Sequence, residues 1–241
     1  HGFRALTLRA GDFVLKAWLR PGRGDLLHVY IEGDGHAWQS RTRPSSDPTP
    51  WRPTGFFLAA SDPTENPVLY LGRPCQYVGE GERMNCTPDI WTSARYSERV
   101  VSSLDAAAAQ VMRMTGAART AWYGFSGGGA LAALLAERHP DTVFIGTAAA
   151  NLDTDAWTDH HGVSRLRQSL NPAGARLKTA GIAQVHLSGG EDRVCPPFLA
   201  RNWCRDLPSC ESVLVPDLRH GGAWEEVWPL EMNARRRLRQ Q

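Results

Sequence analysis

Apolar and polar positions follow two different patterns along this chain, and together they predict its fold. Residues 3–9 and 13–19 alternate apolar with polar side chains on either side of an Ala-Gly-Asp turn, which predicts an antiparallel hairpin. Continuous apolar runs follow, and such runs are typical of strands that are buried on both faces of a sheet. They cover residues 26–31, 68–71, 118–123, 142–150, 183–188 and 212–216.

Segments with helical character separate these predicted strands. They cover residues 55–61, 91–114, 127–138, 196–204 and 224–239. Strands that alternate with helices after an initial hairpin predict an α/β fold, with a mostly parallel sheet, an antiparallel N-terminal hairpin and helices on both faces. Residues 39–54 are expected to form a surface loop, and residues 151–181 lack a sustained period and are expected to form a short cap-like insertion. We expect residues 1–241 to be a single domain.

Composition excludes few classes of function. The net charge of +2 is too small to indicate a nucleic-acid partner, and no apolar run approaches the roughly 20 residues that span a bilayer. An arginine-rich run at residues 235–239 is expected on the solvated face of the last helix. The chain begins at His1 without a Met, so we expect a trimmed N-terminus, and the lack of a signal peptide then gives no evidence for the cytoplasm.

The five cysteines indicate an oxidising compartment. Cys75 and Cys86 flank a polar loop that has no apolar pattern to hold it, and Cys204 and Cys210 bracket a connection from a helix to a strand. Two local pairs of this kind predict two disulfides and a periplasmic or extracellular location, with a lipid anchor before trimming left open. Cys195 is then a free, buried thiol. No pair has the Cys-x-x-Cys spacing of a zinc site.

The strongest chemical signal is the segment from Gly124 to Gly128, which reads Gly-Phe-Ser-Gly-Gly. A predicted strand ends at Gly124 and a helix begins at about Gly127, so Ser126 lies on a sharp turn that exposes its hydroxyl. We expect strained backbone at this serine, and we expect that a side chain at position 124 or 128 would collide with a neighbouring element. The alternative interpretation is an ordinary glycine-rich turn with a capping serine.

A serine nucleophile needs a histidine as base and a carboxylate that orients the histidine. Asp192 follows the predicted strand at 183–188, and His220 follows the last predicted strand. Since the serine also follows a buried strand, all three residues are expected to meet at one edge of the sheet. These positions predict Ser126, Asp192 and His220 as the catalytic residues.

Other acids and histidines remain as alternatives. Glu191 is adjacent to Asp192, and Asp153 follows the strand after the serine helix. Asp217 is too near His220 in the chain to reach the far side of its ring. His160 and His161 are in the predicted cap, where they line a pocket or lie on the surface. His220 is the preferred base among these.

Two backbone N–H groups must stabilise the oxyanion that forms during acyl transfer. Gly127 follows the nucleophile and is expected to provide one of them. The loop Glu32-Gly-Asp-Gly35 follows the strand at 26–31 and is expected to provide the other, with Asp34 preferred and Gly35 second. This loop lacks the pattern of a phosphate-binding or calcium-binding loop, and we expect neither a metal nor an organic cofactor.

The chain resembles the α/β-hydrolase superfamily over nearly its whole length. The resemblance is carried by Ile-Glu-Gly-Asp-Gly-His-Ala-Trp at 31–38, Arg-Pro-Cys-Gln-Tyr at 73–77, Trp-Thr-Ser-Ala-Arg-Tyr at 91–96, Gly-Phe-Ser-Gly-Gly-Gly at 124–129 and Asn-Leu-Asp at 151–153. These motifs are similar to those of a bacterial group of exported or lipoprotein-type serine hydrolases without a settled substrate. The resemblance implies a triad of Ser126, Asp192 and His220 and an exported protein. The chain differs from the best-known esterases in having Glu-Gly-Asp-Gly in place of His-Gly-Gly-Gly.

These observations predict a serine hydrolase that cleaves a small-molecule carboxylic ester through an acyl-enzyme. The alternatives are an amidase or peptidase of the same fold, including a prolyl-oligopeptidase type, and a non-catalytic binding protein that keeps the fold. The sequence does not indicate an oligomeric state. Five aromatic residues are candidates either for a pocket near the site or for the core, namely Trp38, Tyr77, Trp91, Trp157 and Trp224.

Overall fold

A computed structural model describes the backbone of residues 1–238 and the side chains of residues 1–232. Within this range eight strands form one sheet and six α-helices surround it. The strands are β1 (Arg4–Ala10), β2 (Phe13–Arg20), β3 (Leu26–Ile31), β4 (Val68–Leu71), β5 (Arg119–Phe125), β6 (Thr142–Ala148), β7 (Ala183–Gly189) and β8 (Cys210–Val215). The helices are α1 (Thr54–Ala60), α2 (Glu98–Thr115), α3 (Gly127–Ala136), α4 (Thr154–His161), α5 (Phe198–Cys204) and α6 (Trp224–Leu238).

The sheet has the strand order β1-β2-β4-β3-β5-β6-β7-β8. Strand β2 pairs antiparallel with both β1 and β4, and every pair from β4–β3 to β7–β8 is parallel. The predicted α/β fold, with a mostly parallel sheet and an antiparallel N-terminal hairpin, is therefore confirmed. The carboxyl ends of β3, β5 and β7 lie along one edge of the sheet, which is where a parallel sheet places a ligand site.

Alternate residues of the central strands pack into two apolar layers, one on each face of the sheet. On β3 and β5, Val29 and Trp122 join a cluster with α2 and α3, whereas Tyr30 and Tyr123 join a cluster with α1 and α6. This follows from the period of two in a strand, which sends successive side chains to opposite faces. Because helices cover both faces of the sheet, the central strands are buried on both sides and their sequences are continuous apolar runs.

The long helix α2 begins later than its predicted start at residue 91. Pro88–Trp91 form a 3-10 turn, and the carbonyl of Asp89 accepts hydrogen bonds from the amides of Thr92 and Ala94. Ser97 then has extended backbone, and the helix begins at Glu98. These turns bury Trp91 and Tyr96 in the core beside α2, so their apolar character reflects burial rather than helical structure.

Both predicted disulfides are present, between Cys75 and Cys86 and between Cys204 and Cys210. Cys195 is a buried free thiol, as predicted. Residues 151–181 contain α4 and a short 3-10 turn, and their role as a cap stays a prediction, as does the single-domain organisation. Among the described residues, no helix combines the length and apolar character needed to cross a membrane. The side chains of the arginine run at 235–239 lie outside the described residues.

Helix α3 packs so closely on the sheet that backbone touches backbone. A methyl group at Gly124 would lie less than 3.0 Å from the backbone of Gly128, and one at Gly128 would lie less than 3.0 Å from the carbonyls of Ile31 and Glu32. Real side chains essentially never approach other atoms so closely, so only glycine fits at either position. This contact brings the start of α3 to the ends of β3 and β5.

We predict that Gly124→Ala lowers the free energy of unfolding by about 3 kcal/mol, because the added methyl group forces α3 away from β5. Chemical denaturation followed by circular dichroism measures the change. Gly181→Ala is the matched control, since a methyl group there meets no atom within 4 Å and should change stability by less than about 0.5 kcal/mol. Equal stability of the two variants would contradict the close packing of α3.

Candidate active site

Ser126 lies on the turn between β5 and α3 with a strained backbone. Its φ of 52° and ψ of −121° fall in a region that residues other than glycine rarely adopt. The amide of Ser126 donates to the carbonyl of Ala148 at 2.9 Å, and its carbonyl accepts from the amide of Gly129 at 3.0 Å. The side chain makes no capping hydrogen bond to α3, which argues against the interpretation as a capping serine.

Ser126, His220 and Asp192 form a continuous chain of hydrogen bonds. The Nε2 atom of His220 is 3.0 Å from the Oγ atom of Ser126, and its Nδ1 atom is 2.8 Å from Oδ2 of Asp192. Because the carboxylate accepts the proton on Nδ1, the lone pair of the neutral ring is on Nε2 and faces the hydroxyl. The structure thus brings together the three residues that the sequence analysis selected.

The carboxylate of Asp192 is held on both of its oxygen atoms. Its side chain is fully buried, and Oδ1 accepts hydrogen bonds from the amides of Val194 and Cys195, each at 2.8 Å. Oδ2 is therefore left to face His220. The main chain of His220 is held by Trp224, whose Nε1 atom donates to the carbonyl of His220 at 2.9 Å.

The loops that carry the acid and the histidine pack directly on each other. Gly189 and Gly190 lie so close to the carbonyls of Leu218 and Pro216 that a methyl group at either glycine would approach them to less than 3.0 Å. The amide of Glu191 also donates to the carbonyl of Leu218 at 3.1 Å. This backbone contact sets Asp192 and His220 side by side although 28 residues separate them.

The alternative residues have other partners. Glu191 makes an exposed ion pair with Arg219 at 2.7 Å. Asp153 caps α4, because its Oδ1 atom accepts from the amides at the start of that helix. His160 and His161 lie at the end of α4, and Nε2 of His161 contacts the carbonyl of Val194 at 2.9 Å. None of these contacts involves the serine.

The two predicted oxyanion donors are Gly127, the first residue of α3, and Asp34, in the loop after β3, and they lie close together beside the serine. A methyl group at Gly127 would lie less than 3.0 Å from Oδ1 of Asp34 and from Nη1 of Arg73. Amides in the first turn of a helix have no carbonyl partner within it, so the amide of Gly127 is available to a ligand. Among the described hydrogen bonds, none is donated by the amide of Asp34. Their role as donors stays a prediction.

Two arginines that the sequence analysis missed surround the carboxylate of Asp34. Arg73 donates to Oδ1, and Nη1 of Arg95 is 3.2 Å from Oδ2. Burial disfavours the charged form of Asp34, but the charges of Arg95 and Arg73 outweigh burial and hold the pKa of this carboxyl below its usual value. One carboxylate between two guanidinium groups leaves a net positive charge next to the serine. Both arginines are in segments that carried the resemblance, and this was the only sequence signal for them.

Glu32 holds the loop that leads to Asp34. Its Oε1 atom accepts from the amide of Gly33 at 2.8 Å, and Oε2 accepts from the amide of Gly55 at 3.1 Å and from the hydroxyl of Tyr70 at 2.7 Å. Burial raises the pKa of this carboxyl above its usual value. The hydroxyl of Tyr70 is also 2.8 Å from that of Tyr77, so a buried polar network ties β3 and β4 to α1.

The serine and the histidine open into a cleft of about 400 Å³, here called the serine cleft. It is bordered by the loop at 32–36, by Trp51 and Phe125, and by Val194. Of the five candidate aromatic residues, Trp91 and Trp224 belong to the core. Trp38 and Trp157 line a second cavity nearby.

One cluster among the described residues has the spacing of metal ligands, formed by His186, Cys204 and Cys210. The two cysteines are joined in a disulfide and therefore offer no thiolate to a metal.

No protein-family model and no curated protein matches this sequence. Solved structures do match over nearly its whole length. The chain has the α/β-hydrolase fold. An α/β serine hydrolase homologue from Coxiella burnetii has a TM-score of 0.65 at 12% identity, covering 95% of this chain and 97% of its own. The esterase domain of a Rhodothermus marinus protein has a TM-score of 0.66 at 14% identity, covering 98% of this chain and 99% of its own.

An acylaminoacyl peptidase from Pyrococcus horikoshii has a TM-score of 0.65 at 11% identity. The match covers 98% of this chain but 40% of the peptidase, so this chain corresponds to one part of that longer protein. At these identities the three comparisons show a common α/β-hydrolase fold.

We predict that Asp34→Asn lowers the free energy of unfolding by about 3 kcal/mol at pH 7, because it leaves two buried guanidinium groups without their carboxylate. The lowered pKa of Asp34 means that the unfolded chain binds the proton more readily. The stabilising contribution is therefore complete above the ordinary pKa of about 4 and is lost as the pH falls through the pKa of the folded protein. The difference between wild type and variant should shrink in acid.

Urea denaturation at pH 7 and at pH 3.5 measures both effects. Asp47→Asn is the matched control, because Asp47 forms an exposed ion pair with Arg83 at 3.4 Å and should contribute less than about 1 kcal/mol. A difference between wild type and Asp34→Asn that is small and independent of pH would contradict the role assigned to the two arginines.

Proposed function

We propose that this protein is a serine hydrolase that cleaves carboxylic esters through an acyl-enzyme on Ser126. The observation that carries the proposal is the hydrogen-bonded chain from the serine hydroxyl through both nitrogen atoms of His220 to the buried Asp192. A hydroxyl at 3.0 Å from a neutral imidazole nitrogen is in position to lose its proton as it attacks a carbonyl. The fold shared with an esterase domain supports the same conclusion.

The reaction proceeds in two halves. Oγ of Ser126 forms a bond to the ester carbonyl carbon while Nε2 of His220 takes the hydroxyl proton, and the carbonyl electrons move onto oxygen. As the tetrahedral intermediate collapses, the bond to the alcohol oxygen breaks and His220 returns the proton to that oxygen. Water then attacks the acyl-enzyme with the same help from His220, and the acid is released.

The surrounding charges favour both steps. Asp192 stabilises the imidazolium that forms when His220 holds the proton, and the two amides that donate to its Oδ1 atom keep it oriented. The amides of Gly127 and Asp34 are assigned to the developing oxyanion. Arg73 and Arg95 offset the carboxylate of Asp34, which would otherwise repel that negative charge.

The setting proposed for this activity is the periplasm or the cell exterior. Two disulfides support it, because such bonds persist in oxidising compartments. We assign the activity to a single domain in which residues 151–181 form a short cap. Amide or peptide hydrolysis at the same serine is the second candidate, and it is favoured by the fold shared with an acylaminoacyl peptidase.

We predict that the wild type hydrolyses p-nitrophenyl esters and that Ser126→Ala reduces kcat by about 10⁴-fold or more, because it removes the nucleophile. His220→Gln and Asp192→Asn should each cost about 10⁴-fold, since the first removes the base and the second disturbs its tautomer. Initial rates with acyl chains of increasing length measure these losses. The matched control is Glu191→Gln, a neighbouring carboxylate on the surface, which should stay within about threefold of the wild type.

Two further results would separate the candidates. Turnover of p-nitroanilides at rates similar to the esters would favour the amidase. Absence of turnover by the wild type, together with no labelling of Ser126 by a fluorophosphonate, would sink the hydrolase proposal in favour of a non-catalytic binding protein.

A further inference from the structure

A second cavity of about 690 Å³ lies beside the serine cleft. Its wall combines apolar side chains with guanidinium groups, and we call it the arginine cavity. The residues that carry the argument are Trp38, Arg41, Arg95, Trp157, Arg165 and Leu166. We infer that this cavity binds the carboxylate-bearing end of the substrate, so that the preferred substrates are hemiesters of dicarboxylic acids. This inference rests on the proposed function.

The arginine cavity and the serine cleft share a wall. Arg95 lines the arginine cavity, and its guanidinium group contacts the carboxylate of Asp34, which lines the serine cleft. Trp157 also lines the arginine cavity, and its Nε1 atom donates at 2.7 Å to the carbonyl of Val194, which lines the serine cleft. These two contacts make the cavities neighbours, and the inference places the ester at Ser126 and the carboxylate in the arginine cavity.

The charges of the arginine cavity are of one sign. Its described lining contains three arginines and no carboxylate. Arg165 is compensated by Asp155 and Asp159, at 2.9 Å and 2.7 Å, whereas Arg41 makes no ion pair among the described residues. The positive charge that remains unbalanced at this cavity is therefore that of Arg41 and Arg95.

Arg95 has the property expected of a ligand-binding group. Its side chain is 7% exposed, and it shares the single carboxylate of Asp34 with Arg73. Its buried Nε atom has no hydrogen-bond partner, although a buried guanidinium is costly unless its donors are satisfied. A substrate carboxylate next to Arg95 supplies the missing negative charge.

The apolar part of the wall indicates what joins the carboxylate to the ester. The rings of Trp38 and Trp157 and the side chain of Leu166 line the cavity together with the arginines, and the guanidinium of Arg95 lies 5.3 Å from the ring centroid of Trp157. A chain of methylene groups fits such a surface. A purely aliphatic acyl chain would remove water from the arginines without replacing it, which disfavours a neutral fatty acyl group.

The test compares two phenyl esters of equal chain length, monophenyl adipate and phenyl hexanoate, which differ in a terminal carboxylate. We expect kcat/KM for the adipate to exceed that for the hexanoate by at least about tenfold, because only the adipate can form a charge-assisted hydrogen bond with the arginines. Arg41→Gln and Arg95→Lys should each reduce this ratio, mainly through KM for the adipate. Arg43→Gln is the control, because Arg43 is in the same exposed loop as Arg41 and does not line the cavity.

The outcomes separate this inference from the proposed function. Hydrolysis of both esters through Ser126 with a ratio near one, or a ratio that Arg41→Gln and Arg43→Gln change equally, would overturn the inference and leave the hydrolase intact. If neither ester is hydrolysed, the p-nitrophenyl esters and the fluorophosphonate decide the hydrolase proposal, and calorimetric titration of the protein with adipate tests the cavity separately. Binding of adipate that weakens in Arg41→Gln but not in Arg43→Gln would support it, and no binding would overturn it.

Discussion

The whole site depends on the direct contact between the backbone of α3 and the ends of β3 and β5. That contact exists because positions 124 and 128 are glycines, and it forces Ser126 into a backbone conformation with positive φ. Strain of this kind persists only where the surrounding structure determines it, and here the buried strands and the apolar helix do so. Once α3 is in this position, the hydroxyl of Ser126, the amide of Gly127 and the loop at Asp34 are neighbours without any further adjustment.

A second backbone contact completes the arrangement from the other side. The loops after β7 and β8 pack through Gly189 and Gly190, and this contact places Asp192 against His220. Main-chain packing between elements therefore sets the positions of Ser126, Asp192 and His220. The hydrogen bonds between their side chains form within that arrangement. Rigid elements of this kind hold reacting groups within the narrow tolerance that acyl transfer requires.

The sequence predicted the fold and the residues around Ser126 because those signals are local. Apolar runs, the turn of glycines and the order of serine, acid and histidine can all be read along the chain. The predicted start of α2 was wrong because Trp91 and Tyr96 are buried in the core from turns that precede the helix. Over a few residues, the spacing of such buried side chains resembles that of a helix. Arg73 and Arg95 were missed because no motif marks an arginine as the partner of a particular carboxylate, whereas a serine, an acid and a histidine after successive strands form a recognisable order.

These two arginines offset the carboxylate of Asp34, which lies in the loop where the chain differs from the His-Gly-Gly-Gly of the best-known esterases. Under the proposed function, the charge of Asp34 alone would oppose the oxyanion at Ser126. With Arg73 and Arg95 on its two oxygen atoms, the group carries a net positive charge and attracts negative charge instead. Arg95 also lines the second cavity, and its buried Nε atom has no hydrogen-bond partner. One cluster thus lies between Ser126 and the cavity, and under the two proposals the same positive charge faces the oxyanion on one side and an acidic substrate group on the other.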